Sequence, residues 1–268
     1  TLSFGPAGIP IAAKGKGIVE GGNVLPSLGL DAMELEFGQG VYIKTKEKAE
    51  EVNAARKKQN VRLSVHASYY INLNARDPKT QHASIGRLYD CARMGGLSGA
   101  ESVAVHAAFR HEQDSKIIKQ KIINACNEIN AKLEEEKIPV KIAPEYAGKH
   151  AQWGTLEEVM EIAQEKNISW CMDFGHYHAT HNGILTKKEE FDKLLAQIEK
   201  FDANYLKDLH IQCCGITYTE KGERHHTSFD SNESTLNWKA MAESFKEFKV
   251  GGICITECPG QEKDTLLL

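Results

Sequence analysis

A chain of 268 residues with 41% hydrophobic and 26% charged side chains has enough apolar surface for one large globular core. Its formal net charge of −4 argues against the basic footprint of most nucleic-acid binders, although bound divalent cations would change the local field. No stretch is long and apolar enough for a membrane span, and the N-terminus lacks the regions of a signal peptide. The seven cysteines form no CxxC pair. We therefore expect a cytoplasmic protein with reduced thiols and no implied membrane or protein partner.

Short apolar runs alternate with longer amphipathic segments along the whole chain. Eight runs are predicted as strands, at 2–6, 31–37, 61–66, 101–106, 139–145, 168–173, 205–211 and 250–257. Six segments are predicted as helices, at 46–58, 82–94, 116–136, 155–166, 187–200 and 236–248. This alternation predicts a single (β/α)₈ TIM barrel domain over residues 1–268, with its last helix truncated. An open doubly wound sheet is the alternative, but the first strand is not followed by a GxGxxG phosphate loop.

Side chains that bind metals stand at the carboxyl ends of six consecutive predicted strands. In (β/α)₈ barrels these ends carry the catalytic residues. The six residues are His66, His106, Glu145, Asp173, His210 and Glu257. Carboxylates crowded around one small mouth would repel each other and would be costly to bury, whereas divalent cations remove both problems. The mixture of imidazole and carboxylate predicts Zn²⁺, with Mn²⁺ or Fe²⁺ as substitutes.

A further set of ligands is predicted around the loop after the seventh strand. Glu223 and His225 are two positions apart, so both point the same way in an extended segment. His176, which follows the sixth strand, would complete a three-ligand site with them. The adjacent His226 is interpreted as a surface or supporting residue.

These residues resemble the motifs of the endonuclease IV family of apurinic/apyrimidinic endonucleases. The matching segments are 66–73 (HASYYINL), His106, 144–145 (PE), 171–176 (CMDFGH), 209–210 (LH), 223–225 (ERH) and 256–260 (TECPG). The resemblance implies three zinc ions at the mouth of a TIM barrel. The implied ligands are His66, His106 and Glu145 for the first ion, Glu145, Asp173, His210 and Glu257 for the second, and His176, Glu223 and His225 for the third.

The resemblance also implies an activity, which is cleavage of DNA 5′ to an abasic site in base-excision repair. Glu145 would bridge two ions and help to position the nucleophile, and Glu257 would orient or deprotonate the attacking water. Tyr69 matches a DNA-contacting tyrosine of the family, Tyr70 would support it by stacking, and Arg224 would bind a phosphate. The expected partner is double-stranded DNA that contains abasic sites.

Three features depart from the family pattern. Glu223 stands where the family usually has aspartate, residues 5–10 (GPAGIP) replace a Gly-x-His segment, and residues 37–44 offer no DNA-stacking arginine. Two other functions therefore stay open. A sugar isomerase or epimerase would need only the ligands at strands five to eight, and a non-catalytic module would bind damaged DNA without cleaving it.

Overall fold

Eight parallel strands close into a barrel in the computed structural model, which describes residues 1–268. The strands are β1 (Leu2–Pro6), β2 (Ala32–Glu36), β3 (Arg62–His66), β4 (Ser102–Val105), β5 (Lys141–Pro144), β6 (Cys171–Asp173), β7 (Leu209–Cys213) and β8 (Gly252–Thr256). The predicted TIM barrel is confirmed, and seven strands lie within the predicted ranges. The boundary of the seventh was wrong, because Tyr205–Lys207 form a 3₁₀ turn and β7 starts only at Leu209.

The barrel consists of two four-stranded halves that meet at two seams. One half has the strand order β1-β8-β7-β6, and the other has the order β2-β3-β4-β5. A parallel bridge between Ala7 and Glu34 joins β1 to β2. Bridges between Ile142 and Ile168 and between Glu145 and Cys171 join β5 to β6. Each seam therefore has far fewer backbone pairs than the sheets on either side of it.

Helices surround the barrel and begin at side-chain caps in several places. They are α1 (Ile18–Val24), α2 (Lys46–Gln59), α3 (Pro78–Leu97), α4 (Ser115–Glu135), α5 (Leu156–Ile162), α6 (Phe174–Thr180), α7 (Lys188–Phe201), α8 (Trp238–Glu247) and α9 (Glu262–Thr265). The six predicted helices are all present, and Thr155 and Glu158 form a reciprocal capping box at α5. The sequence reading missed α1 and α6. None of the helices is both long and apolar enough to cross a bilayer.

The hydrophobic core lies mainly between the strands and the helices, where 64 buried residues form one cluster. Inside the barrel, small side chains fill part of the cross-section, as in the group of Ala104, Ala143 and Cys171. Small residues at this level leave room for longer polar side chains to converge above them. The polar residues of the mouth therefore stand on a packed interior rather than over a channel.

Two short antiparallel elements extend over the mouth of the barrel. One is a β-ribbon of Gly215–Thr219 and Gly222–Thr227. The other is a ladder that pairs Ala108–Phe109 with Gln152–Trp153. The ribbon packs so closely on the loop after β5 that a Cβ atom at Gly148 would lie 2.2 Å from Glu223 Oε2. Glycine at this position therefore allows the ribbon to approach the barrel.

Candidate metal centre

The ends of β3, β4 and β5 bring two imidazoles onto one carboxylate. His66 ends β3, while His106 and Glu145 directly follow β4 and β5. His66 Nε2 lies 3.5 Å from Glu145 Oε2, and His106 Nδ1 lies 3.7 Å from Glu145 Oε1. One ligand atom from each residue falls within 4.8 Å of the others. Two imidazoles and a carboxylate at this spacing form a donor set that suits Zn²⁺.

Glu145 is buried without a hydrogen-bond partner, which is the strongest sign that the centre is built for a cation. The residue is 1% exposed, and neither of its carboxylate oxygens accepts a hydrogen bond. His176 Nδ1 is 3.0 Å from Oε1, but this nitrogen also faces the Tyr146 carbonyl oxygen at 3.1 Å. Burial raises the pKa of Glu145, yet the imidazoles of His106 and His176 outweigh burial and hold that pKa well below its usual range. The structure thus buries an ionised carboxylate that lacks donors, and a bound cation would compensate for this cost.

A second cluster joins α6 to the β-ribbon. Asp173 caps α6 by accepting the backbone N–H of His176 at 2.7 Å, which places the His176 ring inside the mouth. His176 Nε2 lies 2.9 Å from Glu223 Oε2. One ligand atom from each of His176, Glu223 and His226 falls within 4.8 Å of the others. Asp173 Oδ2 is buried and unpartnered, so the capping oxygen Oδ1 leaves Oδ2 available to the centre.

The structure does not bring His225 into this cluster, contrary to the sequence prediction. The ribbon shifts register between Thr217, which pairs with His225, and Tyr218, which pairs with Glu223. Arg224 is therefore the extra residue of a β-bulge, and a bulge reverses the side-chain alternation. Glu223 and His226 consequently face the mouth together. The exposed His225 instead approaches Glu233 at 3.3 Å.

Three imidazoles of the centre are oriented in the same way. The Nδ1 atoms of His66, His176 and His226 lie 2.8, 3.1 and 3.3 Å from the carbonyl oxygens of Ala67, Tyr146 and Glu257. An N–H donated from Nδ1 to a carbonyl fixes the orientation of the ring, so that Nε2 is the atom left to bind a cation. Metal-bound histidines are usually held in this way. Burial lowers the pKa of His106 to about 4.

His210 lies deeper in the barrel than predicted, and the structure does not place it among the candidate ligands. Because β7 extends to Cys213, His210 is its second residue rather than its last. Its Nε2 lies 2.9 Å from Glu34 Oε2, and its Nδ1 lies 3.0 Å from Ser102 Oγ. At the level of Asp173, β7 presents Gln212 instead. The structure therefore places His210 against Glu34 and Ser102 rather than at the mouth, where the sequence predicts it.

Strand β2 contributes carboxylates that the sequence reading missed. Glu34, Glu36 and Glu257 bring one oxygen each within 4.8 Å of the others, and Glu36 Oε1 is buried without a partner. Burial raises the pKa of Glu36 to about 7. Burial also raises the pKa of Glu257 well above its usual value, with neighbouring carboxylates adding to the effect. Glu34 and Glu36 are two positions apart in a strand, so both side chains point to the same face, and this alternation is the sequence signal for them.

The predicted DNA-contacting residues occupy different surroundings. Tyr69 lines the mouth, a cavity of about 400 Å³ shared with candidate ligands from both halves of the barrel. Tyr70 is exposed, and its hydroxyl donates to Gln39 Oε1 at 2.8 Å. Arg224 is exposed at the bulge of the ribbon and does not line this cavity. Of the three, only Tyr69 stands beside the candidate metal ligands.

Comparison with protein families links the chain to a broad group of enzymes. A family described as xylose isomerase-like TIM barrel matches residues 24–266. The uncharacterized protein MJ0133 of Methanocaldococcus jannaschii is 33% identical over the whole of this chain and 95% of its own length. A probable endonuclease 4 of Mycoplasma pneumoniae is 25% identical over 61% of this chain and 57% of its own length.

Solved structures with the same fold include both nuclease and epimerase relatives. Endonuclease IV from Thermus thermophilus superposes with a TM-score of 0.72 at 17% identity, covering 99% of this chain and 95% of that one. A D-tagatose 3-epimerase-like protein superposes with a TM-score of 0.70 at 16% identity, covering 99% and 93%. At such identities these likenesses establish the fold and leave the reaction open.

Proposed function

This chain belongs to the xylose isomerase-like TIM barrel family, and within it we propose a zinc-dependent phosphodiester hydrolase that cleaves DNA 5′ to abasic sites. The observation that carries the proposal is the pairing of two clusters, each with two imidazoles and a carboxylate. They are His66, His106 and Glu145, and His176, Glu223 and His226. An isomerase that holds its metal with the carboxylates of strands five to eight would have no use for four histidines at the mouth. Several cations close together suit phosphodiester hydrolysis, in which charge develops on both the attacking and the leaving oxygen.

The residues present fit bound cations, because buried carboxylate oxygens lack donors and three imidazoles turn their Nδ1 atoms to backbone carbonyls. When bound, the cations would supply Lewis acidity to the phosphoryl group. The two clusters would hold one ion each, and Glu145 and Asp173, with Glu36 and Glu257, offer oxygens for a third. We propose three ions in all.

Glu257 is the candidate to accept the proton of the attacking water. Gln212 Nε2 donates to Glu257 Oε1 at 3.1 Å, which leaves Oε2 free to face the mouth. Glu257 directly follows β8, so the barrel fixes its position. Glu145 would contribute negative charge that keeps the cations together. Tyr69, which lines the same cavity, would contact the DNA beside the abasic site.

Recognition of DNA is proposed to rest on few basic side chains, because the chain has a formal net charge of −4. We therefore expect binding to weaken only shallowly when salt increases, with the cations supplying much of the attraction to phosphate.

A cytoplasmic location is proposed as well. It is supported by seven free, buried cysteines, which suit a reducing compartment.

A sugar isomerase or epimerase is the second candidate function. It is favoured by the carboxylates that converge from Glu145, Asp173 and Glu257, and by the close superposition on the epimerase-like structure. Several carboxylates close together also suit a single oxygen-bound ion such as Mn²⁺.

The deciding experiment incubates the zinc- or manganese-loaded protein with a duplex that carries one tetrahydrofuran abasic analogue. The nuclease proposal predicts a single nick 5′ to the analogue and a 3′-hydroxyl that a DNA polymerase extends. A panel of ketohexoses is tested beside it, and Glu145→Gln serves as the inactive control for both. If no metal loading gives a nick and a ketohexose is epimerised, the isomerase function replaces the nuclease proposal.

A further inference from the structure

Phe109 presents an exposed aromatic ring on a firmly held backbone next to the metal centre. The residue is 41% exposed, although it belongs to the short ladder that pairs with Gln152–Trp153. Its N–H donates to Asn72 Oδ1 at 3.2 Å, and its carbonyl accepts from Asn74 Nδ2 at 2.8 Å. A ring held in this way loses little conformational entropy when a planar ligand stacks on it.

Tyr69 provides a second exposed ring whose position is also fixed. It is 55% exposed, and its N–H donates to the Gly38 carbonyl oxygen at 3.0 Å. The ring packs directly over Gly38, where a Cβ atom would lie 2.3 Å from it. Its centroid is 5.2 Å from that of His66. The ring therefore stands at the edge of the metal centre.

Both rings line one groove that opens from the mouth of the barrel. The groove has a volume of about 260 Å³ and also contacts His106 and Glu223, which are candidate metal ligands. This is below the roughly 300–1,000 Å³ of ordinary small-molecule pockets, so the groove suits one ring of a larger substrate. Lys149 lies at the groove as well, with its half-exposed amine 3.7 Å from Glu223 Oε1.

We propose that this groove, formed by Phe109, Tyr69 and Lys149 and called here the stacking groove, binds one unstacked nucleotide beside the reacting phosphodiester. The base lies against the two aromatic rings, and the phosphate of the same nucleotide lies near the Lys149 amine. Aromatic stacking tolerates any base because every base has a π-face, so the groove would bind nucleotides without selecting a sequence. The inference deepens the proposed function and rests on it.

The test measures binding of thymidine 5′-monophosphate to the zinc-loaded protein by calorimetry, with thymidine as the uncharged probe. Phe109→Ala and Tyr69→Ala should each weaken binding of both probes roughly 5- to 150-fold, the range that one base–aromatic stack implies. Phe109→Leu should fall in between, because it keeps apolar area without the π-face. Lys149→Met should weaken binding of the monophosphate and not of thymidine. The matched control is Phe201→Ala, which removes an exposed phenylalanine at the end of α7, outside the groove.

Cleavage of the abasic duplex is measured separately, so the two proposals can fail independently. If no phosphodiester is cleaved but monophosphate binding depends on Phe109, the hydrolase proposal fails and the stacking groove stands. If the duplex is cleaved but Phe109→Ala binds both probes like the wild type, the stacking groove is overturned. Displacement of the monophosphate by D-fructose, with the same dependence on Phe109, would also overturn the proposal and assign the groove to a sugar ring.

Discussion

Gln212 donates from Nε2 to Glu257 Oε1 at 3.1 Å. An amide therefore holds this carboxylate at the end of β7, where the sequence predicts His210. The same Nε2 donates to Glu34 Oε1 at 2.8 Å, and Gln212 Oε1 accepts from the Cys171 thiol at 3.2 Å. Gln212 is 0% exposed and has its hydrogen-bonding capacity used within the barrel. It therefore positions two carboxylates and is not arranged to bind a cation itself.

Replacing Gln212 by histidine should add an imidazole at the level of Asp173. We expect Gln212→His to retain zinc at least about 10-fold more strongly in competition with a chelator, because the imidazole adds a zinc ligand where the amide supplies none. His210→Leu is the companion variant. It should keep its metal content but lose about 1–3 kcal/mol of unfolding free energy, since Glu34 loses a buried partner. A loss of metal in His210→Leu, with an intact fold, would contradict the deep placement of His210.

Replacing Glu145 by glutamine should reduce the metal content measured by elemental analysis. The wild type is expected to bind more than two divalent ions per chain, and Glu145→Gln should lose at least one, since a neutral amide compensates cations poorly. Activity should be abolished while the circular dichroism spectrum is unchanged. Glu161→Gln, on the outer surface of α5, is the control and should retain every ion. Wild-type content below about one ion per chain would remove the multi-metal centre.

The bulge in the β-ribbon makes a prediction about two adjacent histidines. His226→Ala should lose about one ion per chain and most activity, whereas His225→Ala should retain both, because only His226 faces His176 and Glu223. Glu223→Asp should be tolerated and Glu223→Ala should behave like His226→Ala. The opposite pattern, with His225 essential and His226 dispensable, would show that the ribbon pairs without the bulge.

Glu158 should make stability depend on pH in a defined window. Burial raises its pKa, but hydrogen bonds from Arg110, Ser115 and the amides of Thr155 and Gly154 outweigh burial and lower it to about 2. Since the folded pKa lies below the usual 4.5, the stabilisation is fully present above pH 4.5 and is lost as pH falls towards 2.

Glu158→Gln in the metal-free protein should therefore lower the unfolding free energy at pH 7 by about 1–3 kcal/mol. Urea unfolding between pH 2 and pH 7 should show the difference from the wild type shrinking below pH 4.5 and vanishing near pH 2. Glu161→Gln, whose pair with Lys119 is exposed, should change stability by less than about 1 kcal/mol at every pH. A constant difference across the whole range would assign the effect to packing.

The barrel and much of the mouth were predictable because the strands are short apolar runs that end in polar side chains. The errors came from features that leave little local signal. Tyr205 and Leu206 read as the start of a strand, yet they form a turn, and the later start of β7 moves His210 away from the mouth. The bulge at Arg224 depends on how two strands pair, which side-chain spacing cannot show. The seven-residue α6 is too short to show a periodic pattern, and its one local signal is Asp173, which caps it and is also a candidate ligand.

The two seams of the barrel give the cations a mechanical role. The candidate ligands come from both half-sheets, which are joined by isolated bridges and by single contacts such as the Tyr146 N–H to the Cys171 carbonyl at 2.9 Å. Bound ions would link the two half-sheets at the rim of the barrel. Removing them should speed hydrogen–deuterium exchange at Tyr146 and at Gly8, whose N–H crosses the opposite seam to Glu34. Amides inside each half-sheet should keep their protection. Loss of the ions would then open the barrel locally at its two seams and leave both half-sheets intact.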